Sequence, residues 1–195
     1  VAIAQCDGRD DGVVFDPLLT DSAVATQERE DRNNKRKLST IKQVSRTWDM
    51  CRPLPGSLGE NYLISRCIPD AIKEPAIKFH PAIKNKESGK FLPALVFKAS
   101  MSPTGPVTAI HRIYLTLDGK RKAELENPKM ALGELKGSGI WFGTPGPKLY
   151  IAEGPENALS LIQTGALFVV SAISSGNMGN LIIPQGVEMV VLAGD

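Results

Sequence analysis

The chain has little of what marks several common classes of protein. Its 195 residues include only three cysteines, far apart and without a Cys-x-x-Cys pair, so we expect no zinc site within the chain. An odd, unpatterned set of cysteines is typical of the reducing cytoplasm. No apolar run approaches the roughly 20 residues of a membrane-spanning helix, and the first residues lack the apolar core of a signal peptide. Because aromatic residues make up only 6%, we expect no extended base-stacking surface.

Basic residues are absent from the end of the chain. Four acidic residues follow Lys148, namely Glu153, Glu156, Glu188 and Asp195, and no Lys or Arg does. The first 148 residues carry all 23 basic residues and 17 acidic ones, a net charge of +6, although the whole chain has only +2. A basic front part joined to an acidic end suits a protein that binds phosphates and holds a metal ion. A solvated helix face beside an ordinary core explains the charges equally well.

The pattern of apolar residues predicts three parts. Residues 1–52 form an N-terminal arm and a helix over 22–50, residues 53–146 form a mixed α+β subdomain, and residues 147–195 form a parallel sheet with helices. Within the second part, a short helix is expected over 61–66, starting at Leu58 or Gly59. The expected strands of this part are 76–79, 94–99, 108–115 and 139–142.

Two carboxylates each end a predicted buried strand. The run 149–152 leads to Glu153, and the run 187–193 leads through Gly194 to Asp195. In open α/β sheets, ligands gather beyond the carboxyl ends of the strands. Carboxylate oxygens there suit Mg²⁺, which also keeps waters and substrate phosphates. The alternative is that each carboxylate only caps the next helix or stays solvated.

A family resemblance narrows the interpretation. The segment 149–160, with Glu153-Gly154-Pro155-Glu156, resembles the first motif of the Toprim domain, and the segment 190–195 resembles the approach to its second motif, Asp-x-Asp. Upstream segments resemble, in order, the Toprim-containing primases and primase–helicases of phages, plasmids and mobile elements. These segments are Trp48, 53–57, 61–66, Lys78-Phe79-His80-Pro81, 93–96, 109–115, 118–120, 122–123 and 132–133. Cys67 stands where that family usually has glycine.

The resemblance implies an α/β fold with an N-terminal helix, a mixed α+β subdomain and a partial Toprim sheet, which is Rossmann-like. It implies DNA primase activity, which is metal-dependent nucleotidyl transfer. Asp195 would hold Mg²⁺ or Mn²⁺, Glu153 would act as general base or metal ligand, and Glu156 would support the site. Gly154 and Gly176 would allow the backbone to approach it closely.

The same resemblance implies a nucleic-acid or nucleotide site in the subdomain before the Toprim sheet. His111 and Arg112 lie late in the predicted strand 108–115, and Lys120, Arg121 and Lys122 form a basic hairpin tip. Guanidinium and ammonium groups suit phosphates, although a lone His-Arg pair is usually structural. The implied partners are single-stranded DNA, ribonucleotides and a replicative helicase. Zinc is implied only for an upstream module, of which Cys6 would be a remnant, although simple buried or free thiols explain the cysteines better.

One departure from the family keeps two rival functions open. The second Asp of Asp-x-Asp would lie beyond Asp195, and the chain begins at Val1, so we expect a fragment of a longer protein. Without that Asp the chain could be a catalytically incomplete module that binds DNA or a protein. A Toprim nuclease, which uses the same metal chemistry to hydrolyse DNA, is the other alternative.

Overall fold

The computed structural model describes residues 17–194, and the side chains of residues 24–194. The chain divides into two compact units, Val1–Lys37 and Leu38–Asp195. Helix α1 (Pro17–Asp49) starts earlier than the predicted residue 22 and spans this division. Its side chains from 24 to 39 are exposed, and Arg32 pairs with Glu28 one turn away at 3.4 Å.

The second unit begins with the apolar end of α1 and two short helices. Val44 is fully buried and packs with Cys51, Val96 and Ile110. Helix α2 (Leu58–Ser65) begins where the sequence predicts, because Ser57 accepts hydrogen bonds from the backbone of Gly59 and Glu60 and caps the helix. A single 3-10 turn, Pro69–Lys73, follows.

A four-stranded antiparallel sheet forms the middle of the second unit. Its strands are β1 (Ile77–Lys84), β2 (Phe91–Ala99), β3 (Ala109–Tyr114) and β4 (Lys129–Gly133), paired in that order. Three of them match predicted strands, with β1 and β2 longer than expected. Strand β4 was not predicted. Strand β3 lies between β2 and β4 and is buried along its whole length.

The second sheet contains the carboxylate-bearing end of the chain. Its strands are β5 (Ile140–Gly143), β6 (Lys148–Ala152), β7 (Phe168–Ser171) and β8 (Met189–Ala193), in the order β5-β7-β6-β8. Strand β6 pairs in parallel with both β7 and β8, and β5 is antiparallel to β7. Helix α3 (Pro155–Gln163) connects β6 to β7, and a one-turn helix, α4 (Ser175–Met178), follows β7.

One apolar cluster joins the two sheets within the second unit. It includes Leu63 of α2, Leu95 of β2, Phe142 of β5 and Leu159 of α3. The chain is therefore a mixed α/β protein with an N-terminal helix and two sheets, as the sequence predicts at this level. No helix in the part of the chain that the structure describes is both long and apolar enough to cross a membrane.

Candidate functional site

The carboxylate of Glu156 lies in the first turn of α3, where four side chains converge on it. Its Oε1 accepts a hydrogen bond from the Tyr62 hydroxyl at 2.5 Å and lies 3.5 Å from Arg66 Nε. Its Oε2 lies 2.7 Å from Lys122 Nζ and 3.1 Å from Lys129 Nζ. Because the Glu156 side chain is only 12% exposed, these interactions are partly shielded from solvent.

Three separate segments bring these partners together. Tyr62 lies in α2 and Arg66 directly follows that helix, so the two side chains are one helical turn apart. Lys122 follows the turn after β3, and Lys129 begins β4. The carboxylate therefore ties α2 and the antiparallel sheet to the start of α3.

The charges around Glu156 keep it ionised. Burial alone would raise the pKa of its carboxyl, but hydrogen bonds from Lys122 and Tyr62 and the charges of Lys122 and Lys129 hold that pKa at about 2. Burial and the hydrogen bond to Glu156 raise the pKa of the Tyr62 hydroxyl well above its ordinary value. At neutral pH the site therefore contains a carboxylate and a neutral phenol that donates to it.

A concave pocket lies beside this carboxylate. We call it the cation pocket; it has a volume of about 410 Å³ and is lined by Tyr62, Ser65, Arg66, Lys120, Arg121 and Lys122. Ser65 Oγ lies 2.8 Å from the backbone oxygen of Lys120, which fixes the hairpin against α2. The three predicted hairpin cations thus share one pocket, and the fold adds Arg66 to them.

His111 is buried close to these charges. It is 5% exposed, its ring centroid lies 6.1 Å from that of Phe97, and neither ring nitrogen has a hydrogen-bond partner within residues 17–194. Burial, helped mainly by the positive charge of Lys129, lowers the pKa of His111 to about 4, and Glu156 opposes this shift. The imidazole is therefore neutral at physiological pH.

Arg112 points away from the cation pocket. Successive residues of a strand face opposite sides of the sheet, so Arg112 lies on the face opposite His111. It is 4% exposed, its Nη2 donates to the backbone oxygen of Ala131 at 3.2 Å, and its guanidinium lies 5.8 Å from the Tyr114 ring. In this conformation the side chain packs inside the protein rather than facing a phosphate.

The structure describes one of the two carboxylates of the predicted strand-end site. Glu153 directly follows β6 and is exposed, and its backbone oxygen accepts a hydrogen bond from Ser171 Oγ at 3.0 Å. Strands β6 and β8 are adjacent and parallel, with Ala152 opposite Ala193, in agreement with the parallel sheet predicted for residues 147–195. Asp195 lies outside the described residues. Glu153 and Glu156 are thus three residues apart at the carboxyl edge of β6.

Gly154 and Gly176 border open space. Gly154 precedes α3 and Gly176 lies in α4, and a Cβ added at either would meet no atom within 4 Å. Contacts with the described chain therefore do not require glycine at either position. Their predicted role in close backbone approach stays a prediction.

The described residues offer a metal ion few protein ligands. Between residues 17 and 194 there is no group of three or more His, Cys, Asp or Glu side chains that could hold a metal ion. The exposed carboxylate of Glu153 is a hard oxygen donor of the kind Mg²⁺ takes singly or in pairs, with waters and substrate phosphates completing its shell. The predicted Mg²⁺ or Mn²⁺ stays a prediction.

Sequence reasoning missed three members of the site. Tyr62, Arg66 and Lys129 contact Glu156, yet none was assigned to a site from the sequence. Tyr62 and Arg66 do belong to the segment 61–66 that resembles the primase family, and that was the available signal. Lys129 had none, because the strand that carries it was not recognised.

The fold and the site define a class: an α/β protein with a cation-lined pocket beside the start of a helix that follows a parallel strand. Residues 39–142 match the family described as a domain of unknown function (DUF7146), which is more than half of the chain, and the chain belongs to this family. The match includes all the cations of the pocket and ends before Glu153. No curated protein and no solved structure matches the chain significantly.

Proposed function

We propose that this chain is the catalytic part of a DNA primase, which joins ribonucleotides on a single-stranded DNA template. The observation that carries the proposal is that two carboxylates with different surroundings, Glu153 and Glu156, lie within four residues of each other at the end of β6. Glu153 directly follows β6 at its carboxyl edge, where we propose that it binds a metal, and Glu156 pairs with Lys122 and Lys129. Phosphate-binding cations beside a metal-binding carboxylate are the parts that phosphoryl transfer requires.

The topology of the second sheet supports a finer proposal about the fold. Strand β6, helix α3 and strand β7 form a parallel β-α-β unit, and β8 pairs with the other side of β6. We propose that this sheet is the first part of a Toprim domain. The motif resemblance over residues 44–195 supports the same assignment.

The residues divide the work of nucleotidyl transfer in this proposal. A bound Mg²⁺ or Mn²⁺ would offset the charge that develops on the transferring phosphoryl group. Glu153 and Asp195 supply carboxylates for that ion, and Lys120, Arg121 and Lys122 bind phosphates of the nucleotide or template. Glu156 keeps the cations in position. The expected partners are single-stranded DNA, ribonucleotides and a replicative helicase, in the cytoplasm.

A phosphate-binding module without catalysis is the second candidate. The cation pocket favours it, because Arg66 and Lys122 can hold a phosphate without any metal ion. A Toprim nuclease is the third candidate, and it requires the same metal site as the primase but no ribonucleotides.

A priming assay distinguishes the three. The full-length protein is incubated with a single-stranded DNA template, ribonucleotides and Mg²⁺, and labelled primers are separated on a gel. We expect short RNA primers from the parent protein and none from Glu153→Gln. Glu188→Gln is the matched control, because Glu188 is also an exposed carboxylate of the last part of the chain but precedes β8 rather than ending a strand.

Each rival predicts a different result of this assay. A nuclease shortens the template when ribonucleotides are omitted. A binding module retains the DNA in a filter-binding experiment but yields no product. The primase proposal is abandoned if the parent protein makes no primer with either Mg²⁺ or Mn²⁺, or if Glu153→Gln primes as well as Glu188→Gln does.

A further inference from the structure

The cation pocket contains more positive charge than its carboxylates balance. Arg66, Lys120, Arg121 and Lys122 line it, and Lys129 lies beside it on Glu156. Glu156 is the carboxylate buried among them. The pair between Arg121 and Glu124, at 3.9 Å, is 74% and 85% exposed and therefore weak.

Glu156 holds its cations as a bound phosphate would. Its Oε2 contacts the two ammonium groups of Lys122 and Lys129, and its Oε1 faces the Arg66 guanidinium and accepts from the Tyr62 hydroxyl. Charged oxygens that accept from Lys and Arg are what a phosphate offers as well. Arg66 is half-exposed and Lys122 is 30% exposed, so a ligand in the pocket can reach both while Glu156 remains in place.

We propose that the cation pocket binds a compact polyphosphate group, such as a nucleoside di- or triphosphate carries, and that Glu156 is an internal counter-ion from which this ligand takes over cations. The inference rests on the proposed function, whose nucleotide it places in this pocket. In the empty pocket Glu156 keeps Lys122 and Lys129 ordered. In the bound state it competes with the ligand, so it limits affinity.

The shape and charge of the pocket favour a polyphosphate over a nucleic-acid backbone. A phosphodiester strand carries about one negative charge per nucleotide along an extended path, which a linear stripe of cations matches. Here the cations come from the end of α2 and from the 120–122 hairpin and converge on one concavity of about 410 Å³. Several charges close together on one ligand suit that arrangement best.

The experiment measures the binding of sodium tripolyphosphate by titration calorimetry at pH 7.5, low salt and without divalent metal. We expect Glu156→Gln to bind it about fivefold or more tightly, since a nearby negative charge has been removed from a partly shielded site. Lys120→Gln should bind it about threefold or more weakly, because Lys120 lines the pocket. Lys86→Gln is the control, since Lys86 is also exposed at a hairpin turn, and it should bind as the parent does.

Several results would overturn the inference. Unchanged or weaker binding in Glu156→Gln shows that Glu156 is only a structural ion-pair partner. Unchanged binding in Lys120→Gln places the ligand elsewhere. If an oligothymidylate displaces tripolyphosphate at equal phosphate concentration, the occupant is a nucleic-acid strand. Should Glu156→Gln not fold, the carboxyl ¹³C signal of Glu156 in the parent decides, because it must shift during the tripolyphosphate titration.

The outcome is separable from that of the priming assay. Tripolyphosphate binding with the expected variant effects but without primers supports the pocket and removes the primase function. If the protein makes primers but tripolyphosphate binding is unchanged in both Glu156→Gln and Lys120→Gln, the proposed function is supported and the assignment of the pocket is wrong.

Discussion

Lys122 Nζ lies 2.7 Å from Glu156 Oε2 and joins the turn after β3 to the first turn of α3. The two residues are 34 positions apart, and each belongs to a segment with its own predicted role. Lys122 is in the basic hairpin tip, and Glu156 follows the strand-end carboxylate Glu153. Their contact joins the basic hairpin tip and the start of α3, which the sequence presents as two separate sites, into one site.

Removing the Glu156 carboxylate should destabilise the second unit. Glu156→Ala leaves the Tyr62 hydroxyl without its acceptor and the ammonium groups of Lys122 and Lys129 without a counter-ion, in a site that is partly shielded. We expect a loss of about 3 kcal/mol in the free energy of unfolding, measured by urea denaturation. Glu188→Ala, at an exposed carboxylate, should change it by less than about 0.5 kcal/mol. Equal effects would mean that Glu156 has no special structural role.

His111 should make stability fall between pH 6.5 and pH 4. Its pKa is about 4 in the folded protein and ordinarily 6.5, so the unfolded chain binds the proton first. The contribution is complete above pH 6.5 and is lost as the pH falls toward 4, by up to about 3 kcal/mol. His111→Gln, which does not titrate, should remove this slope from urea denaturation curves.

Proton NMR provides the direct check on His111. The chain has only two histidines, so two imidazole titrations can be followed. Burial also lowers the pKa of His80, the other histidine. The assignment is wrong if neither imidazole titrates near pH 4, or if the slope persists in His111→Gln and is therefore carried by another group.

The position of the basic hairpin depends on the absence of a side chain at Gly119. Its φ is +70°, and a Cβ there would lie 2.6 Å from the backbone oxygen of Leu58 and 2.9 Å from the Leu58 Cβ. Gly119→Ala should therefore cost about 2–3 kcal/mol, from left-handed strain and from the clash that moves the hairpin off α2. Thermal or urea denaturation measures this loss.

Gly89 provides a matched control for Gly119. It has the same φ of +70° in a hairpin turn, but a Cβ added there meets nothing within 4 Å. Gly89→Ala should therefore show the backbone cost alone, about 1 kcal/mol. If the two variants lose the same stability, contact with Leu58 does not position the hairpin.

Periodicity and turn residues predict most of the fold because they report local structure. The strand that precedes Glu153 is predicted to within one residue, since short apolar runs between Gly and Pro carry that information. Strand β4 (Lys129–Gly133) was missed because it is short and contains no β-branched or aromatic residue, the types that mark a strand in a sequence. Its strand character depends on pairing with β3, which is a long-range property.

The site was predictable only in its separate parts. Resemblance identified Glu156 and the residues of the hairpin tip, but Tyr62 reaches Glu156 across 94 positions of sequence. No local pattern encodes such a contact, because it depends on how the two sheets and α2 share one core. Arg112 illustrates the opposite case, since its residue type suggests a phosphate ligand while the register of β3 turns it inward.

Cys67 has a backbone conformation that glycine adopts more easily. It follows the end of α2 with φ +58°, its N–H donates to the Ile64 oxygen, and the next N–H, of Ile68, donates to the Leu63 oxygen. This is the Schellman arrangement, in which glycine is preferred at the position of Cys67. Glycine is also what the resembled primases have there.

Cys67→Gly should therefore stabilise the protein. Relief of left-handed strain, about 1–2 kcal/mol, exceeds the extra chain entropy of glycine, about 0.5–1 kcal/mol, so we expect a gain of about 0.5–1 kcal/mol by urea denaturation. Cys67→Ser retains a Cβ and should leave stability within about 0.5 kcal/mol of the parent. A loss of stability in Cys67→Gly would show that the helix end is not strained.

Divalent metal should bind weakly at the carboxyl edge of β6. Glu153 is exposed there, and β8 runs parallel beside β6 and delivers the chain toward Asp195. Mg²⁺ and Mn²⁺ prefer such oxygen donors, and one or two carboxylates with waters hold them only loosely until substrate phosphates complete the shell. The electron paramagnetic resonance signal of free Mn²⁺ falls as the ion binds, and this decrease gives the bound fraction. We expect Glu153→Gln to lose most of the binding.

Two further variants decide whether the metal is held jointly. Asp195→Asn should also weaken Mn²⁺ binding, and the double variant with Glu153→Gln should be little worse than either single one, because residues that hold one ion act as a unit. Glu188→Gln should bind Mn²⁺ as the parent does. Additive losses from Glu153 and Asp195 would indicate separate, non-specific contacts, and full binding in Glu153→Gln would place the metal away from β6.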